Sequence, residues 1–419
     1  MFGTLLKALA TLALLGAMQQ PLLAATNDAV AARLEALFVA DRVETGSKDV
    51  NSRIEEMRGY YASRSYKPVW VRDDGPKAKA RALLQELEIS AVHGLDPKFF
   101  NVAEIARLLG SSDAGDLARA DMLLSGAVVE FGRQLRNGRV GPETRGAFNG
   151  VRPVELDPER YVEGAADAGN FRQYASGFLN ADERYVRLIS KLAEYARIDQ
   201  SHLWPQIRPQ GPADFAKIRD LLMLTGDLPP AFAQAKSFRD SGVVSAIRNF
   251  QTRNSLDDTG KPDAPTLAQM AVQPGERIRQ IKVNLERRRW QNLPLAANHI
   301  YVNLADRSAR IVLDGETAAH GAIENFDELR EIPTAYGALK RVIGQGGEAT
   351  VEVTPQYPSP RKPEPFRIRL KLPKGIELPP GMQVFLTYIT AWVSSDGDLY
   401  FAEDTLGRDP AVAAALGLD

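Results

Sequence analysis

Residues 246–267 read AIRNFQTRNSLDDTGKPDAPTL, a stretch that predicts two short helices joined by a polar turn. Ile247 and Phe250 are spaced three residues apart, as they would be on one face of a helix. Gly260 permits a turn with positive φ, and Asp263 is a residue type that caps the N-terminus of a helix. We therefore expect a compact helical hairpin in which most of the distinctive residues have a packing, turn or capping role.

The chain on the N-terminal side of this hairpin is predicted to be mostly helical. Residues 29–136 are expected to be mostly helical. Apolar residues between Leu124 and Leu135 fall at helical spacing, and Asn137-Gly138 is typical of a helix C-terminus. A further amphipathic helix is expected over residues 183–200. Directly after the hairpin, residues 276–290 predict a basic helix. This part of the chain therefore indicates an all-α region.

After Asn298 the apolar residues recur at every second position, which predicts β-strands. Residues 300–304 and 310–313 flank a polar turn and predict a hairpin. Residues 366–372 alternate between apolar and basic side chains, as in a strand with one buried face. Residues 383–393 predict one longer apolar strand. The C-terminal third is therefore expected to be β-rich.

The composition is that of an ordinary globular protein with nearly balanced charge. The 419 residues include 52 basic and 53 acidic side chains, and 44% of the residues are hydrophobic. A chain of this length is expected to form two or three domains. The lack of a basic excess argues against nucleic acid as a partner, because phosphate binding requires one. The chain contains no cysteine, which excludes cysteine-nucleophile chemistry and disulfide bonds.

The first 25 residues predict export. Leu5–Ala17 is an almost unbroken apolar run, Lys7 is the only charge in this segment, and Ala24 and Ala25 supply small residues for cleavage. So short a run is typical of a secretory signal peptide rather than of a permanent span. We expect a periplasmic protein without a permanent membrane span, and a retained N-terminal anchor is the alternative.

The hairpin resembles the small peptidoglycan-binding module of cell-wall proteins. That module's pattern is an aliphatic residue, Phe-Gln, a leucine after a turn, a glycine and Thr-Leu. The resemblance implies that the hairpin binds peptidoglycan, and a helical hairpin without a ligand is the alternative. The positions that match the pattern are Ile247, Phe250, Gln251, Leu256, Gly260, Asp263, Thr266 and Leu267. The candidate peptidoglycan-binding side chains are Arg248, Gln251, Arg253, Asn254 and Asp258.

Segments on both sides of the module are similar to the large L,D-transpeptidases. Because they occur in that family's order, the resemblance implies a helical scaffold domain, the module and a catalytic domain. The N-terminal segments are Tyr60-Tyr61-Ala62 with Arg64, Pro68 and Trp70, then Gly94-Leu95-Asp96-Pro97, then Leu135-Arg136-Asn137-Gly138-Arg139-Val140. The C-terminal segments are Glu276 to Arg287 with Trp290, Tyr301-Val302-Asn303, Thr387 to Val393 with Asp396-Gly397, and Gly407-Arg408-Asp409.

The segment that holds the active site in that family is different in this chain. The family's segment contains a histidine and a cysteine whose thiolate attacks a peptide carbonyl. Here only residues 323–382 fill that place, and they include neither residue type. His320 is the nearest of the four histidines, and we interpret it as a polar strand residue. The resemblance therefore implies a relative without transpeptidase chemistry, and we predict no catalytic residue, metal ligand or cofactor.

The basic helix leaves two interpretations open. The simpler one is a solvated basic face. In the other, Arg287, Arg288 and Arg289 bind carboxylates of peptidoglycan stem peptides or an acidic patch on a partner.

These observations predict a multidomain α+β protein. The expected divisions are a signal peptide (1–25), a helical scaffold domain (26–232), a peptidoglycan-binding module (233–275), and a linker helix with a truncated L,D-transpeptidase-like β domain (276–419). The predicted function is to bind peptidoglycan, or a cell-wall synthetic or hydrolytic enzyme, and to localise or regulate cross-linking. Two alternatives remain open. One is an enzyme that modifies peptidoglycan with Asp, Glu or Ser chemistry, and the other is a periplasmic protein–protein adaptor.

Overall fold

The described part of the chain forms two compact units. The computed structural model describes residues 28–39, 48–141, 144, 153–179, 183–291, 294–329, 335–343, 347–355, 365–404 and 409–418. The expected signal peptide lies outside these residues. Within them, no helix is both long enough and apolar enough to span a bilayer. The first unit contains the residues up to Glu88 with Pro97–Phe131 and Asp157–Tyr174, and the second contains Ile89–Asp96, Gly132–Leu156 and the residues from Ala175 onward.

The first unit is helical except for one short ribbon, in which β1 (Val71–Arg72) pairs antiparallel with β2 (Gly75–Pro76). Two of its helices, α6 and α8, continue into the second unit. The helices are α1 (Asp28–Val39), α2 (Lys48–Glu56), α3 (Arg58–Ser63), α4 (Ala78–Glu88), α5 (Val102–Leu109), α6 (Ala114–Asn137), α7 (Pro158–Asp167) and α8 (Phe171–Ser176).

A buried carboxylate, Asp121 of α6, organises the segment that contains Trp70. It accepts hydrogen bonds from the backbone N–H groups of residues 69–71, at 2.6 to 3.0 Å, and from the Tyr61 hydroxyl at 2.7 Å. Trp70 Nε1–H donates to Ser125 Oγ at 2.8 Å. Because a buried carboxylate is costly unless hydrogen bonds compensate it, these bonds fix the path of the chain around Trp70.

The second unit begins with helices and ends with a barrel. The helices expected near residues 183–200, 242–272 and 276–290 are all present. They are α9 (Glu183–Ser201), α10 (Phe215–Leu224), α11 (Ser241–Arg253), α12 (Ala264–Met270) and α13 (Pro274–Arg289).

Seven strands form a closed barrel in the order β3-β4-β5-β8-β7-β6-β9. The pairing of β3 with β9 is parallel, and the other neighbouring pairs are antiparallel. Ile300, Ile311 and Ile368 are among the apolar side chains that fill the interior. Residues 323–382 supply β6, β7 and β8, so this short segment closes the barrel. The strands are β3 (His299–Asn303), β4 (Ser308–Leu313), β5 (Glu316–Ile323), β6 (Ala335–Ile343), β7 (Glu348–Pro355), β8 (Phe366–Lys371) and β9 (Gln383–Thr387), with the one-turn helix α14 (Phe326–Leu329) between β5 and β6.

A hairpin that follows the barrel packs on the helices. It pairs β10 (Ala391–Val393) antiparallel with β11 (Leu399–Phe401), and a last helix, α15 (Pro410–Leu416), comes after it. Val393 and Phe401 of the hairpin share one hydrophobic core with Leu221, Ile247 and Leu285 of α10, α11 and α13. The expected domain boundaries after residues 232 and 275 both lie inside the second unit.

The expected continuous strand over residues 383–393 is wrong, because the chain leaves the barrel after Thr387. The Ile389 N–H donates to Asn303 Oδ1 at 2.8 Å, and the Thr390 N–H donates to Asn284 Oδ1 at 2.8 Å. These two asparagine side chains take the backbone groups that a neighbouring strand would otherwise bind. The apolar run is therefore divided into β9 and β10.

Candidate binding site

Gln251 of α11 holds the turn of the module-like hairpin. Its side chain is fully buried, and its Oε1 accepts a hydrogen bond from the Gly260 N–H at 2.8 Å. Its Nε2 lies 2.8 Å from Thr266 Oγ1 and 2.9 Å from the Lys261 carbonyl oxygen. Gly260 has a φ of +69°, which a residue with a side chain rarely adopts. The glutamine, glycine and threonine of the motif thus form one hydrogen-bonded unit.

The apolar and capping residues of the hairpin also have positions inside the fold. Ile247 and Phe250 are buried in the core that the helices share. Asp263 is the N-cap of α12, where its side chain accepts from the Thr266 N–H at 3.1 Å. Leu256 is only half buried.

The five candidate peptidoglycan-binding residues do not lie on one surface. Arg253 and Asn254 are each 7% exposed, and Gln251 is enclosed as described above. Arg253 forms an ion pair with Asp227, so its charge is already used within the chain. Only Arg248 and Asp258 are exposed. Of the five candidates, these two side chains are therefore the ones accessible to a ligand.

Residues 287–289 of the basic helix do not form a solvated face, so the simpler interpretation of this run is wrong. All three arginines are at most 3% exposed. Arg287 Nη2–H donates to Asp404 Oδ1 at 2.8 Å, and Arg289 Nη1–H donates to Glu286 Oε2 at 3.2 Å. Because α13 is packed on several sides, its guanidinium groups reach carboxylates and carbonyls of the same unit.

A groove of about 1290 Å³ lies beside the N-terminal half of α13, and we call it the α13 groove. Pockets for small molecules usually measure about 300–1,000 Å³, so this groove has room for an extended ligand. It lies entirely within the second unit. It is lined by residues 252, 254–256, 269, 272, 276, 277, 279, 280, 305–307, 326, 388, 392 and 400–404.

An aromatic pair forms part of this lining. Trp392 and Tyr400 are opposite each other in the β10–β11 hairpin, and their rings are stacked at 5.5 Å with an interplanar angle of 15°. Both are only half buried. The turn at Gly397, where φ is +91°, brings the two strands together. The pairing of the two rings was not predicted, because Trp392 was expected in a strand that continued from residue 383.

Several types of side chain line the α13 groove. It offers flat aromatic faces, amides and charged groups, and none of its described residues is a histidine. His320 is an exposed residue of β5, outside the groove, as expected for a polar strand residue. Across the part of the chain that the structure describes, no three His, Asp or Glu side chains are grouped to hold a metal ion.

His299, at the start of β3, is a histidine for which the structure predicts a pH effect. The residue is 8% exposed, and its Nδ1 lies 2.6 Å from the Ala296 carbonyl oxygen. Burial lowers the pKa of His299, and the charges of Arg310 and Arg184 act in the same direction, against the effect of this hydrogen bond. The folded protein therefore favours the neutral imidazole.

We expect His299 to make the protein less stable in mild acid. A histidine whose folded pKa is lowered contributes stability above its unfolded pKa of about 6.5, and this contribution is lost as the pH falls through the folded value. Urea denaturation at about pH 7.5 and about pH 5 should show a smaller loss of unfolding free energy in His299→Asn than in the wild type. Equal losses in the two proteins would contradict the assignment.

Comparison with known proteins adds one match. Residues 55–192 match a family model described as a scaffold domain. This range contains Tyr61, Trp70 and Asp121, the residues of the buried network in the first unit. No curated protein matches the chain.

Proposed function

We propose that this protein is an exported relative of the large L,D-transpeptidases that lacks transpeptidase activity, binds peptidoglycan and localises or regulates cross-linking. The mature protein, residues 26–419, would act in the periplasm. The single observation that carries the binding part of the proposal is the α13 groove. It lies at the end of the module-like hairpin and presents a stacked Trp392–Tyr400 pair.

The chemistry of the groove supports a polysaccharide ligand. The faces of sugar rings carry C–H groups that pack against aromatic rings, while their hydroxyl and acetamido groups need polar partners. The groove supplies both, since amides such as Gln269 and Gln280 line it together with the aromatic pair. Its volume exceeds that of a typical small-molecule pocket, as an extended glycan requires.

The composition supports the absence of transpeptidase activity. Acyl transfer by this family requires a cysteine thiolate, and the chain has no cysteine. Residues 323–382 instead contribute three strands to the barrel interior and surface. If peptidoglycan does not bind, the expected partner is a cell-wall enzyme.

Trp392→Ala is expected to weaken binding to purified peptidoglycan sacculi about tenfold or more, because buried aromatic anchors commonly contribute at least about 1.4 kcal/mol to an interface. Co-sedimentation of the mature protein with sacculi would measure the apparent affinity. Phe238→Ala is the matched control, since Phe238 also belongs to an aromatic pair of the second unit, with Phe215 at 5.0 Å, but lies outside the groove.

Three results would count against the proposal. If wild-type protein did not sediment with sacculi, peptidoglycan would not be its ligand. If mass spectrometry of the treated sacculi showed released or newly cross-linked muropeptides, the protein would be an active enzyme, and the inactive assignment would be lost. Equal weakening by Trp392→Ala and Phe238→Ala would move the binding site away from the groove.

A further inference from the structure

Arg277 differs from Arg253, Arg287 and Arg289, three other buried arginines of the second unit, in the partners of its charge. Arg253 is paired with Asp227, Arg287 with Asp404, and Arg289 with Glu286.

Arg277 is 6% exposed and has only neutral partners among the described residues. Its Nη2 donates to Asn254 Oδ1 at 2.9 Å and to Gln269 Oε1 at 2.8 Å, and it lies 3.5 Å from the Gln269 carbonyl oxygen. Its Nη1 has a single, long contact of 3.4 Å with Gln280 Oε1. The guanidinium lies 4.2 Å from the centre of the Phe401 ring.

A buried cation without a counter-ion is costly in free energy. Burial lowers the pKa of Arg277 to about 10, and the nearby charge of Arg253 acts in the same direction. The guanidinium nevertheless remains charged at neutral pH. The fold therefore keeps a permanent positive charge in a place where an anion would be stabilised.

This charge lies in the lining of the α13 groove, which the aromatic pair also lines. Phe401 packs on the guanidinium, whereas Tyr400, the preceding residue of β11, lies on the other face of the hairpin and stacks on Trp392. None of the carboxylates that line the groove forms an ion pair with Arg277 within 4 Å, and one of them, Asp404, is already paired with Arg287. The other charged residues of the lining are Arg279, Arg307, Glu276, Asp306 and Glu403.

We propose that Arg277 is the anion site of the groove and selects a sugar with a free carboxylate, such as the muramic acid of a glycan strand from which the stem peptide has been removed. The proposal rests on the function proposed above and specifies its ligand. The N–H groups of Nη2 already bind Asn254 and Gln269, so Nη1, with its single long contact, is the group that would donate a charge-assisted hydrogen bond to the carboxylate. Neutral sugars would meet the same aromatic surface but would leave the charge of Arg277 uncompensated.

The test uses two soluble probes that differ by a carboxylate, N-acetylmuramic acid and N-acetylglucosamine. Titrations followed by NMR on the mature protein should show at least tenfold tighter binding of the acid. In Arg277→Gln, this preference should fall to about threefold or less, while the affinity for N-acetylglucosamine stays unchanged. Arg279→Gln, which removes another arginine of the lining, should keep most of the preference.

The possible outcomes separate the two proposals. Equal affinity of wild-type protein for both probes, or a preference that survives in Arg277→Gln, overturns the role of Arg277 even if sacculi still bind. Failure to bind sacculi overturns peptidoglycan as the ligand even if the acid probe is preferred. If Arg277→Gln does not fold, NMR spectra of wild-type protein labelled with ¹⁵N on its arginines provide the test instead. A shift of one buried guanidinium with the acid alone supports the site, and the absence of any shift overturns it.

Discussion

Gly138→Ala is expected to lower the free energy of unfolding by about 3–5 kcal/mol. Gly138 follows the last residue of α6 and has a φ of +79°, where a side chain is strained. An added Cβ would also overlap the carboxylate of Glu286, with its Cδ only 2.6 Å away.

The carboxylate cannot move away without further loss. Glu286 is fully buried, and its Oε1 accepts hydrogen bonds from the backbone N–H groups of Arg139 and Val140, at 2.7 and 2.8 Å. The same oxygen accepts from Trp290 Nε1–H at 3.0 Å. If the carboxylate moved, these donors would lose their acceptor, and Arg289 would lose its ion pair with Glu286.

Gly141→Ala provides the matched control, because a Cβ at that position would meet no atom within 4 Å. Its effect on the unfolding free energy should stay within about 0.5 kcal/mol. Urea denaturation followed by circular dichroism would measure both variants. If the two glycine substitutions had similar effects, the contact between residue 138 and Glu286 would not be what constrains this turn.

The contact between residue 138 and Glu286 also shows which parts of the fold the sequence could predict and which it could not. The sequence correctly predicted that α6 ends at Asn137-Gly138, because a glycine after a helix is a local signal. It also singled out a second segment, Glu276 to Arg287 with Trp290. Glu286, in the second segment, accepts a hydrogen bond from the turn that ends the first. The two partners are 147 residues apart in the chain. No local pattern specifies such a contact, so only the fold shows that these two motifs serve each other.

The same reasoning explains why the burial of the arginines was missed. From sequence alone, the repeated arginines of α13 resemble a solvated face, since isolated guanidinium groups are rarely buried. The carboxylate partner of Arg287, Asp404, and two neutral partners of Arg277, Asn254 and Gln269, lie outside α13 and come from packing. The alternating strand β8, by contrast, was predicted correctly, because its burial pattern repeats with the period of the strand itself.

For the candidate site, the sequence identified the hairpin but not the groove. The motif residues Gln251, Gly260 and Thr266 are recognisable because they depend on one another over a short distance. The groove combines α11, α13 and the β10–β11 hairpin, which are far apart in the chain. The sequence therefore could not show that Trp392 and Arg277 line the same groove.

Arg253→Met is expected to lower the free energy of unfolding by about 3–5 kcal/mol, because it leaves the buried carboxylate of Asp227 without its counter-ion. The side chains of Arg253 and Asp227 are 8% and 2% exposed. Arg253 Nε–H donates to Asp227 Oδ1 at 2.9 Å, and its Nη1–H donates to the Leu399 carbonyl oxygen at 2.8 Å. The arginine therefore holds the loop after α10 and the strand β11 together.

The double variant Asp227→Asn/Arg253→Met should be destabilised by less than the sum of the two single variants, because the second substitution removes the charge that the first leaves unpaired. Arg248→Met, an exposed arginine of the same helix, is the control and should change the unfolding free energy by no more than about 0.5 kcal/mol. Additive effects in the double variant would show that the pair is not coupled.

The same variants decide between a structural and a ligand-binding role for Arg253. If the role is structural, the fraction of Arg253→Met that remains folded should sediment with sacculi as the wild type does, although its unfolding midpoint is lower. If Arg253 binds peptidoglycan directly, sedimentation should be lost at temperatures where circular dichroism shows the variant to be folded. Because the guanidinium is enclosed between Asp227 and the Leu399 carbonyl, the structure predicts the first result.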